Sequence, residues 1–223
     1  MVHWRQDSIP VILRRASKIT DSASLQKQLP KLKATGVLLA GGKSSRMGKN
    51  KAFLELEGQP LAERSVQVLK EVFSEVLISS NTPELYTDFN VPVIQDRIPD
   101  RGPLEGLCQG LAAASFATVF FVACDMPFLQ KELIRFQFSW TPRYDIVVPR
   151  LRTGLHPLHA FYNRRCLPHI KDNLEAGRLK IVDLYSVCSV GYVDDSDLAG
   201  FSDLEDVFCN VNTPEDWSGI FKR

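Results

Sequence analysis

The sequence predicts an α/β fold of three layers, in which helices cover both faces of a mixed, mostly parallel sheet. Short apolar runs alternate with amphipathic segments from Gly36 onward, and this β-α-β-α order is typical of α/β/α sandwiches. The runs are apolar almost throughout, which indicates strands that are buried on both faces. Four of them come first, at residues 36–40, 75–78, 91–94 and 118–123.

Helices are predicted between these runs because apolar residues recur there with helical spacing. One helical face is formed by Leu61, Ser65, Val68, Leu69 and Val72, and a second by Leu104, Leu107, Leu111 and Ala114. Later runs at residues 145–148 and 158–162 extend the sheet with mixed strand direction. Residues 164–176 are expected to form a helix that ends at Gly177.

Composition excludes several classes of protein. Hydrophobic residues make up 44% of the 223 and charged residues 24%, with 27 Lys and Arg against 26 Asp and Glu; this balance excludes a disordered chain or a histone-like basic surface. No apolar run approaches the roughly 18 residues of a membrane span. The five cysteines include no C-x-x-C pair and are interpreted as reduced core thiols. We therefore expect a cytoplasmic protein with no membrane or nucleic-acid partner.

Charge is unevenly distributed along the chain and divides it in two. Residues 1–35 carry seven basic and two acidic side chains, a net charge of +5, whereas residues 36–223 carry 20 basic and 24 acidic ones, a net charge of −4. We expect a basic, loosely attached N-terminal extension over residues 1–35 and a single α/β domain over residues 36–223.

A glycine-rich, basic loop follows the first predicted strand, where residues 39–51 read L-A-G-G-K-S-S-R-M-G-K-N-K. Glycines allow the chain to turn sharply and to present backbone N–H groups to an anion, while the four basic side chains supply positive charge. A polyphosphate is the ligand that this combination favours. The spacing excludes a Walker loop, and the adjacent Gly41 and Gly42 exclude the G-x-G-x-x-G dinucleotide fingerprint.

Two aspartates are predicted at the carboxyl ends of buried strands, where open α/β sheets bind their ligands. Asp125 follows the run at residues 118–123, and Asp96 follows the run at residues 91–94. An aspartate in such a place is either a ligand-binding group or a cap for the next segment. A carboxylate can also accept hydrogen bonds from sugar hydroxyls or from the two adjacent N–H donors of guanine.

The loop resembles the signature L-A-G-G-x-S-x-R-M-G-x-x-K of the nucleotidyltransferases with a GT-A-like Rossmann fold, which residues 39–51 match without a gap. Residues 124–127 resemble the C-D-x-P segment of that superfamily, and residues 102–106 its G-P-L-x-G segment. The resemblance implies a nucleotidyltransferase of this fold, with Mg²⁺ held against a nucleoside triphosphate by Asp125. One carboxylate suffices for Mg²⁺ when phosphate oxygens and water complete the coordination.

Within this superfamily the sequence more closely resembles the molybdenum cofactor guanylyltransferases. Residues 208–216, F-C-N-V-N-T-P-E-D, resemble the F-x-N-V-N-T-P-E-[DE] segment of that family, whereas cytidylyltransferases more often have D-I-D-T-P-E-D. His156 and Pro157 resemble the start of the family's H-P-T, but Leu158 replaces the threonine, and Ser79 stands where members often have asparagine. The resemblance extends from about residue 36 to residue 217.

The resemblance, together with the positions of basic side chains, implies a set of site residues. Lys51, Arg46 and Asp125 are the expected catalytic residues, and Asp125 is the expected metal ligand. The expected GTP-binding residues are Leu39, Ala40, Gly41, Gly42, Lys51, Ser79, Asp96, Gly102, Leu104 and Asp125. The acceptor is expected to bind at His156, Arg178, Lys180, Asn210 and Asn212.

The implied reaction transfers GMP from GTP to the terminal phosphate of molybdopterin, or of its molybdenum-loaded form, and releases pyrophosphate. The attacking phosphate is already anionic at neutral pH, so positive charge and alignment are needed rather than a general base. Cofactor chaperones or molybdoenzymes are expected partners for the product. Two alternatives stay open, namely a related cytidylyltransferase or sugar-phosphate nucleotidyltransferase, and a GTP-binding protein without catalysis.

Overall fold

A sheet of eight strands runs through the described part of the chain, which comprises residues 29–41 and 51–211 of this computed structural model. Strands β2 and β3 pair with each other in a separate antiparallel ribbon. In chain order the strands are β1 (Leu32–Leu39), β2 (Glu55–Leu56), β3 (Gln59–Pro60), β4 (Phe73–Ser79), β5 (Val93–Ile94), β6 (Thr118–Ala123), β7 (Ile146–Leu151), β8 (Gly154–Leu155), β9 (His159–Asn163) and β10 (Val190–Asp194).

Five α-helices and four 3₁₀ segments connect the described strands. The helices are α1 (Leu61–Val72), α2 (Pro103–Ala113), α3 (Lys131–Phe138), α4 (Leu167–Glu175) and α5 (Leu204–Val207), and the 3₁₀ segments are Lys51–Phe53, Pro83–Phe89, Arg164–Cys166 and Ile181–Ser186. None of these helices is long and apolar enough to cross a membrane. The helix that the sequence predicts over residues 164–176 is a 3₁₀ turn followed by α4. Gly177 lies just beyond α4 with φ +70°.

The sheet is mixed but mostly parallel, as predicted. Its strands lie in the order β10-β7-β9-β6-β1-β4-β5, with β8 paired to β7. Strand β1 runs parallel to β4 and β6, β4 to β5, and β7 to β10. Strand β9 is antiparallel to both β6 and β7. The carboxyl ends of β5, β4, β1 and β6 consequently share one edge of the sheet.

Each face of the sheet has its own hydrophobic core, which confirms the three layers. Leu38 and Phe120 point to the face covered by α1 and α3. Their neighbours Val37 and Phe121 point to the opposite face, covered by α2 and α4. Because successive strand residues point to opposite faces, a strand buried on both sides must be apolar at nearly every position.

Strand β1 begins before the predicted domain boundary. It starts at Leu32, so residues 32–35 belong to the sheet instead of the predicted extension, and Ala34 and Thr35 are fully buried. The sequence did not predict this start because Thr35 is polar and interrupts the apolar run. In the structure its hydroxyl is buried and donates to the carboxylate of Glu75 on β4. Residues 1–28 lie outside the described residues, and the prediction of a loosely attached extension there stays a prediction.

The cysteines behave as predicted from their spacing. None of the five described cysteines forms a disulfide, and Cys108 and Cys166 are buried. Burial raises the pKa of Cys124 to about 12, aided by the neighbouring carboxylate of Asp125. A thiol with a raised pKa is a poor nucleophile, so the cysteines serve packing.

A carboxylate network joins three segments at the amino edge of the sheet. The Glu75 carboxylate accepts hydrogen bonds from the Thr35 hydroxyl at 2.5 Å, the Ser115 backbone N–H at 2.8 Å and the Ser115 hydroxyl at 2.6 Å. Burial alone would raise the pKa of Glu75, but these bonds and the nearby Arg164 together lower it. The network thus links β1, β4 and the connection between α2 and β6.

We expect Glu75→Ala to lower the free energy of unfolding by about 1–3 kcal/mol, because it leaves the buried Thr35 hydroxyl without its acceptor. Since the native pKa is lowered, the stabilisation is present above the usual carboxyl range and is lost as the pH falls through the native pKa. Urea unfolding at pH 7 and pH 4 measures both effects. The control is Glu71→Ala, which breaks an exposed ion pair with Lys131 and should cost less than about 1 kcal/mol. Equal losses in the two variants would contradict the prediction.

Candidate functional site

Several of the predicted nucleotide-binding residues lie at or just beyond the carboxyl ends of the parallel strands. Leu39 lies level with Ser79 on one side and with Ala123 on the other, and Ser79 lies level with Ile94. The pairing continues past the strand ends, since Cys124 N–H donates to Leu39 O at 3.1 Å. The glycine-rich loop, Ser79, the segment before Asp96 and the segment before Asp125 therefore begin from adjacent positions.

The first residues of the glycine-rich loop, Leu39 to Gly41, are joined to the neighbouring strand by a backbone hydrogen bond. Ala40 N–H donates to Ser79 O at 2.9 Å, and the side chains of Leu39 and Ala40 are buried. Gly41 follows at the edge of the sheet and is exposed. Gly42 and Arg46 lie outside the described residues, so their predicted roles stay predictions.

Ser79 and α2 pack against each other without space for a side chain between them. A Cβ atom on Gly106 would lie 2.9 Å from Leu39 Cδ2 and 3.2 Å from Ser79 Oγ. Ser79 itself is buried. The glycine that closes the G-P-L-E-G segment thus allows close packing of α2 on β1 and β4.

The N-terminus of α2 is shaped by its sequence. Gly102 has φ +67°, which favours glycine, and Pro103 occupies the first turn of the helix. Leu104, a predicted GTP-binding residue, is fully buried in the hydrophobic core. Its side chain is part of the core, and the predicted contact of Leu104 with GTP stays a prediction.

Asp96 forms a pair with a residue that the sequence analysis missed. Asn81 Nδ2 donates to Asp96 Oδ2 at 2.8 Å, and Asp96 N–H donates to Asn81 Oδ1 at 3.0 Å. Burial raises the pKa of Asp96, the Asn81 bond lowers it and the nearby Glu105 raises it, with a net increase. Asn81 lies two residues after Ser79, the position at which members of the resembled family often have asparagine.

Asp125 combines partial burial with an oxygen that lacks a partner. Its Oδ1 is buried and has no hydrogen bond among the described residues. Burial raises the pKa of Asp125, and the positive charge of Lys51 opposes that increase, so the two side chains lie near each other. The described residues include no cluster of three or more His, Cys, Asp or Glu side chains suited to a metal. A cation here would therefore have at most two such side chains from this part of the chain, with Asp125 as one of them.

The segment that begins at Phe208 is attached to Asp125 through the backbone. Val211 N–H donates to Asp125 O at 2.9 Å, and the preceding Asn210 is exposed. The second predicted asparagine, Asn212, lies outside the described residues. The structure thus brings one predicted acceptor-binding residue next to the predicted metal ligand.

Two histidines enclose Phe208, the first residue of that segment. The His156 and His159 rings lie 4.5 Å and 5.0 Å from the Phe208 ring, centroid to centroid. His156 is half-buried, and burial lowers its pKa. His159 is fully buried, and neither ring nitrogen has a hydrogen-bond partner among the described residues. The stack holds the segment from Phe208 to Val211 against the start of β9.

The remaining predicted cations follow α4. Arg178 donates two hydrogen bonds to Asn173 Oδ1, at 3.0 and 2.8 Å, and so closes the end of the helix. Lys180 is exposed. Arg101, just before Gly102, donates to Leu174 O at 2.8 Å, so the end of α4 lies beside the start of α2.

Comparison with known proteins identifies the family. A model for the MobA-like NTP transferase domain matches residues 36–186, more than half of the chain. The chain belongs to the MobA-like NTP transferase family. A relative from Pelotomaculum thermopropionicum, named a probable molybdenum cofactor guanylyltransferase, is 43% identical over 185 residues, which cover 83% of this chain and 90% of the relative.

Solved structures support the fold of this MobA-like NTP transferase. Molybdopterin-guanine dinucleotide biosynthesis protein A from Archaeoglobus fulgidus superposes with a TM-score of 0.74 at 22% identity, over 83% of this chain and 95% of that one. A Mycobacterium tuberculosis protein, whose crystal structure is a complex with manganese, superposes with a TM-score of 0.60 at 16% identity, over 86% and 99%.

His159 should make the stability of this family member depend on pH. Burial lowers its pKa to about 3, with a backbone hydrogen bond opposing the decrease and the nearby His156 adding to it, whereas the ordinary value is about 6.5. Between these values the unfolded chain binds a proton that the native state does not. The free energy of unfolding therefore falls as the pH drops below about 6.5, by up to about 1.4 kcal/mol per pH unit.

Urea unfolding between pH 7 and pH 5 tests this expectation in the wild type and in His159→Leu, which keeps an apolar side chain between Phe120 and Phe208. The variant should lose part of the pH dependence. His169→Gln on α4 is the control for loss of a histidine. A His159→Leu profile parallel to the wild type would show that His159 is not the group that titrates.

Proposed function

We propose that this protein transfers GMP from GTP to the terminal phosphate of molybdopterin and releases pyrophosphate. The observation that carries the proposal is the unpartnered buried oxygen of Asp125, held beside Lys51 at the edge from which the glycine-rich loop begins. Membership of the MobA-like NTP transferase family and the name of the 43% identical relative agree with it.

The nucleoside of GTP is proposed to bind at Asp96. The carboxylate already accepts one hydrogen bond from Asn81 through Oδ2, which leaves Oδ1 to accept from guanine N–H groups or from ribose hydroxyls. Ser79 and Gly102 flank this position, the first as the last residue of β4 and the second as the residue before α2.

The triphosphate is proposed to bind at the loop. Backbone N–H groups of Gly41 and Gly42 would supply donors, because Ala40 N–H already donates to Ser79 O, and Lys51 and Arg46 would supply positive charge. The positive charge of Lys51 acts to lower the pKa of Asp125, which supports a role for Lys51 beside the proposed triphosphate. Charge-assisted hydrogen bonds to phosphate are among the strongest available.

Asp125 fits a divalent cation shared with phosphate, and we propose Mg²⁺. A hard cation prefers oxygen ligands and commonly takes only one or two protein carboxylates when a nucleotide is present. The buried, unpartnered Oδ1 of Asp125 costs free energy without such a partner. When bound, the cation neutralises phosphate charge and stabilises the pyrophosphate leaving group.

The acceptor is proposed to bind on the β9 side of Asp125. Asn210 is exposed one residue before Val211, whose N–H donates to Asp125 O, and Asn212, His156 and Lys180 complete the proposed set. Arg178 joins it only by releasing one of its two bonds to Asn173. His156 Nε2 lies 3.3 Å from Thr153 Oγ1, so its ring is already oriented.

The chemistry requires alignment of two anions. An oxygen of the acceptor phosphate forms a bond to the α-phosphorus of GTP, while the bond from that phosphorus to the bridging oxygen breaks and pyrophosphate leaves. The attacking oxygen carries negative charge at neutral pH, so no residue has to remove a proton. Lys51 and Arg46 would reduce the repulsion between the reactants, and the site would hold them in line.

Asp125→Asn should lower the rate of pyrophosphate release from GTP and molybdopterin by about a hundredfold or more, because the neutral amide holds a divalent cation poorly. The control is Asp172→Asn, which removes an exposed carboxylate on α4 and should leave the rate unchanged. Unchanged turnover in the folded Asp125→Asn protein would contradict the metal assignment. No turnover by the wild type with GTP and authentic acceptor would favour a binding protein without catalysis.

Base preference is tested by thermal unfolding with GTP or CTP in the presence of Mg²⁺. GTP at 100 times its dissociation constant should stabilise the protein by about 2.7 kcal/mol, and CTP at the same concentration should stabilise it less. Asp96→Asn should weaken GTP binding by about tenfold, since a charged acceptor is lost. Stabilisation by CTP but not by GTP would overturn the guanylyl assignment in favour of a cytidylyltransferase.

A further inference from the structure

Tyr86 is a buried tyrosine that the proposed chemistry does not use. It lies in the 3₁₀ segment Pro83–Phe89 and is 1% exposed. Its hydroxyl donates to Ala40 O at 3.4 Å, and Ala40 N–H donates to Ser79 O. Both polar backbone groups of Ala40 are therefore bound to protein at the last position before Gly41.

The ring of Tyr86 contacts the turn that carries Lys51. Its centroid lies 5.2 Å from that of Phe53 and 5.4 Å from that of Phe89, and the Phe53 and Phe89 rings meet edge to face at 6.3 Å. Phe53 ends the turn Lys51–Phe53, which Leu54 N–H closes by donating to Lys51 O at 3.1 Å. The three rings form a small aromatic cluster beneath this turn.

Tyr86 thus contacts both described segments that flank residues 42–50. Its hydroxyl binds the segment that ends at Gly41, and its ring binds the segment that begins at Lys51. A tyrosine suits this position because its ring provides apolar contact and its hydroxyl reaches a backbone carbonyl. A phenylalanine would pack equally well but would leave Ala40 O without this donor.

We propose that Tyr86 is a positioning residue for GTP, which keeps Ala40 and Lys51 at a fixed separation so that Gly41, which follows Ala40, and Lys51 bind the same triphosphate. The inference rests on the proposed function, in which Gly41 and Lys51 bind the triphosphate. Fixing binding groups before the ligand arrives reduces the entropy lost on binding. Loss of Tyr86 contacts therefore weakens GTP binding without altering the acceptor side of the site.

Two variants separate the hydroxyl from the ring. Tyr86→Phe keeps the ring and removes the bond to Ala40 O, and Phe53→Leu removes an aromatic contact beneath Lys51. We expect the dissociation constant of GTP with Mg²⁺, measured by calorimetry, to rise about threefold in the first and about tenfold in the second. The KM for GTP should rise in parallel, while the KM for molybdopterin stays at the wild-type value.

Matched controls lie at the end of α3 and in the connection from α3 to β7. Thr141→Val removes a hydroxyl that donates to Phe138 O at 2.8 Å, and Phe138→Leu removes a partly buried ring packed on Phe161. Both should leave the affinity for GTP unchanged. A purely structural role would lower kcat through the folded fraction and leave the KM for GTP unaltered.

The outcomes distinguish this inference from the function on which it rests. Wild-type affinity for GTP in both Tyr86→Phe and Phe53→Leu overturns the positioning role, and so does an equal loss in the control variants. Absence of GTP binding by the wild type overturns the proposed function, and the positioning role with it. Weaker GTP binding in the two variants alone, with folded protein verified by circular dichroism, supports the proposal.

Discussion

Two backbone hydrogen bonds at the end of β1 determine where the loops of the candidate site leave the sheet. Ala40 N–H binds Ser79 O on one side, and Cys124 N–H binds Leu39 O on the other. These two bonds fix where three chain segments leave the sheet, although the segments are far apart in sequence. A slip of one residue in the pairing of β1 with β6 would move Asp125 to the other face of the sheet, away from Gly41.

Burial on both faces makes this register secure. Val37 and Leu38 enter different cores, as do Phe120 and Phe121 on the neighbouring strand. A shift of one residue would point each of these side chains into the opposite core, which is already filled. Several core side chains would then lose their packing. The packing therefore protects an arrangement whose function depends on Gly41 and Asp125, two residues that contribute little to either core.

Sequence alone predicted what depends on local pattern and on motif. The parallel strands, the helices with apolar faces and the convergence of Ala40, Asp96 and Asp125 on one edge follow from continuous apolar runs and from the rule that ligands bind at the carboxyl ends of strands. The start of β1 was missed because Thr35 is polar, and its burial depends on Glu75, forty residues away. Strand β10 and the Asn81–Asp96 pair were missed for the same reason, since each is defined by a distant partner.

The predicted cations illustrate a second limit. Lys51 and Arg178 look alike in sequence, yet the first lies near Asp125 and the second is bound to Asn173 beside the end of α4. Charge counting cannot separate a cation whose charge acts on a buried carboxylate from one that closes a helix. The domain is net acidic over residues 36–223, so the field that attracts a polyphosphate must come from a few local charges at the edge of β1. The attraction of these charges for a polyphosphate depends on their positions being fixed. The charge of an exposed, flexible lysine is screened by solvent, whereas a charge near a buried carboxylate is screened less.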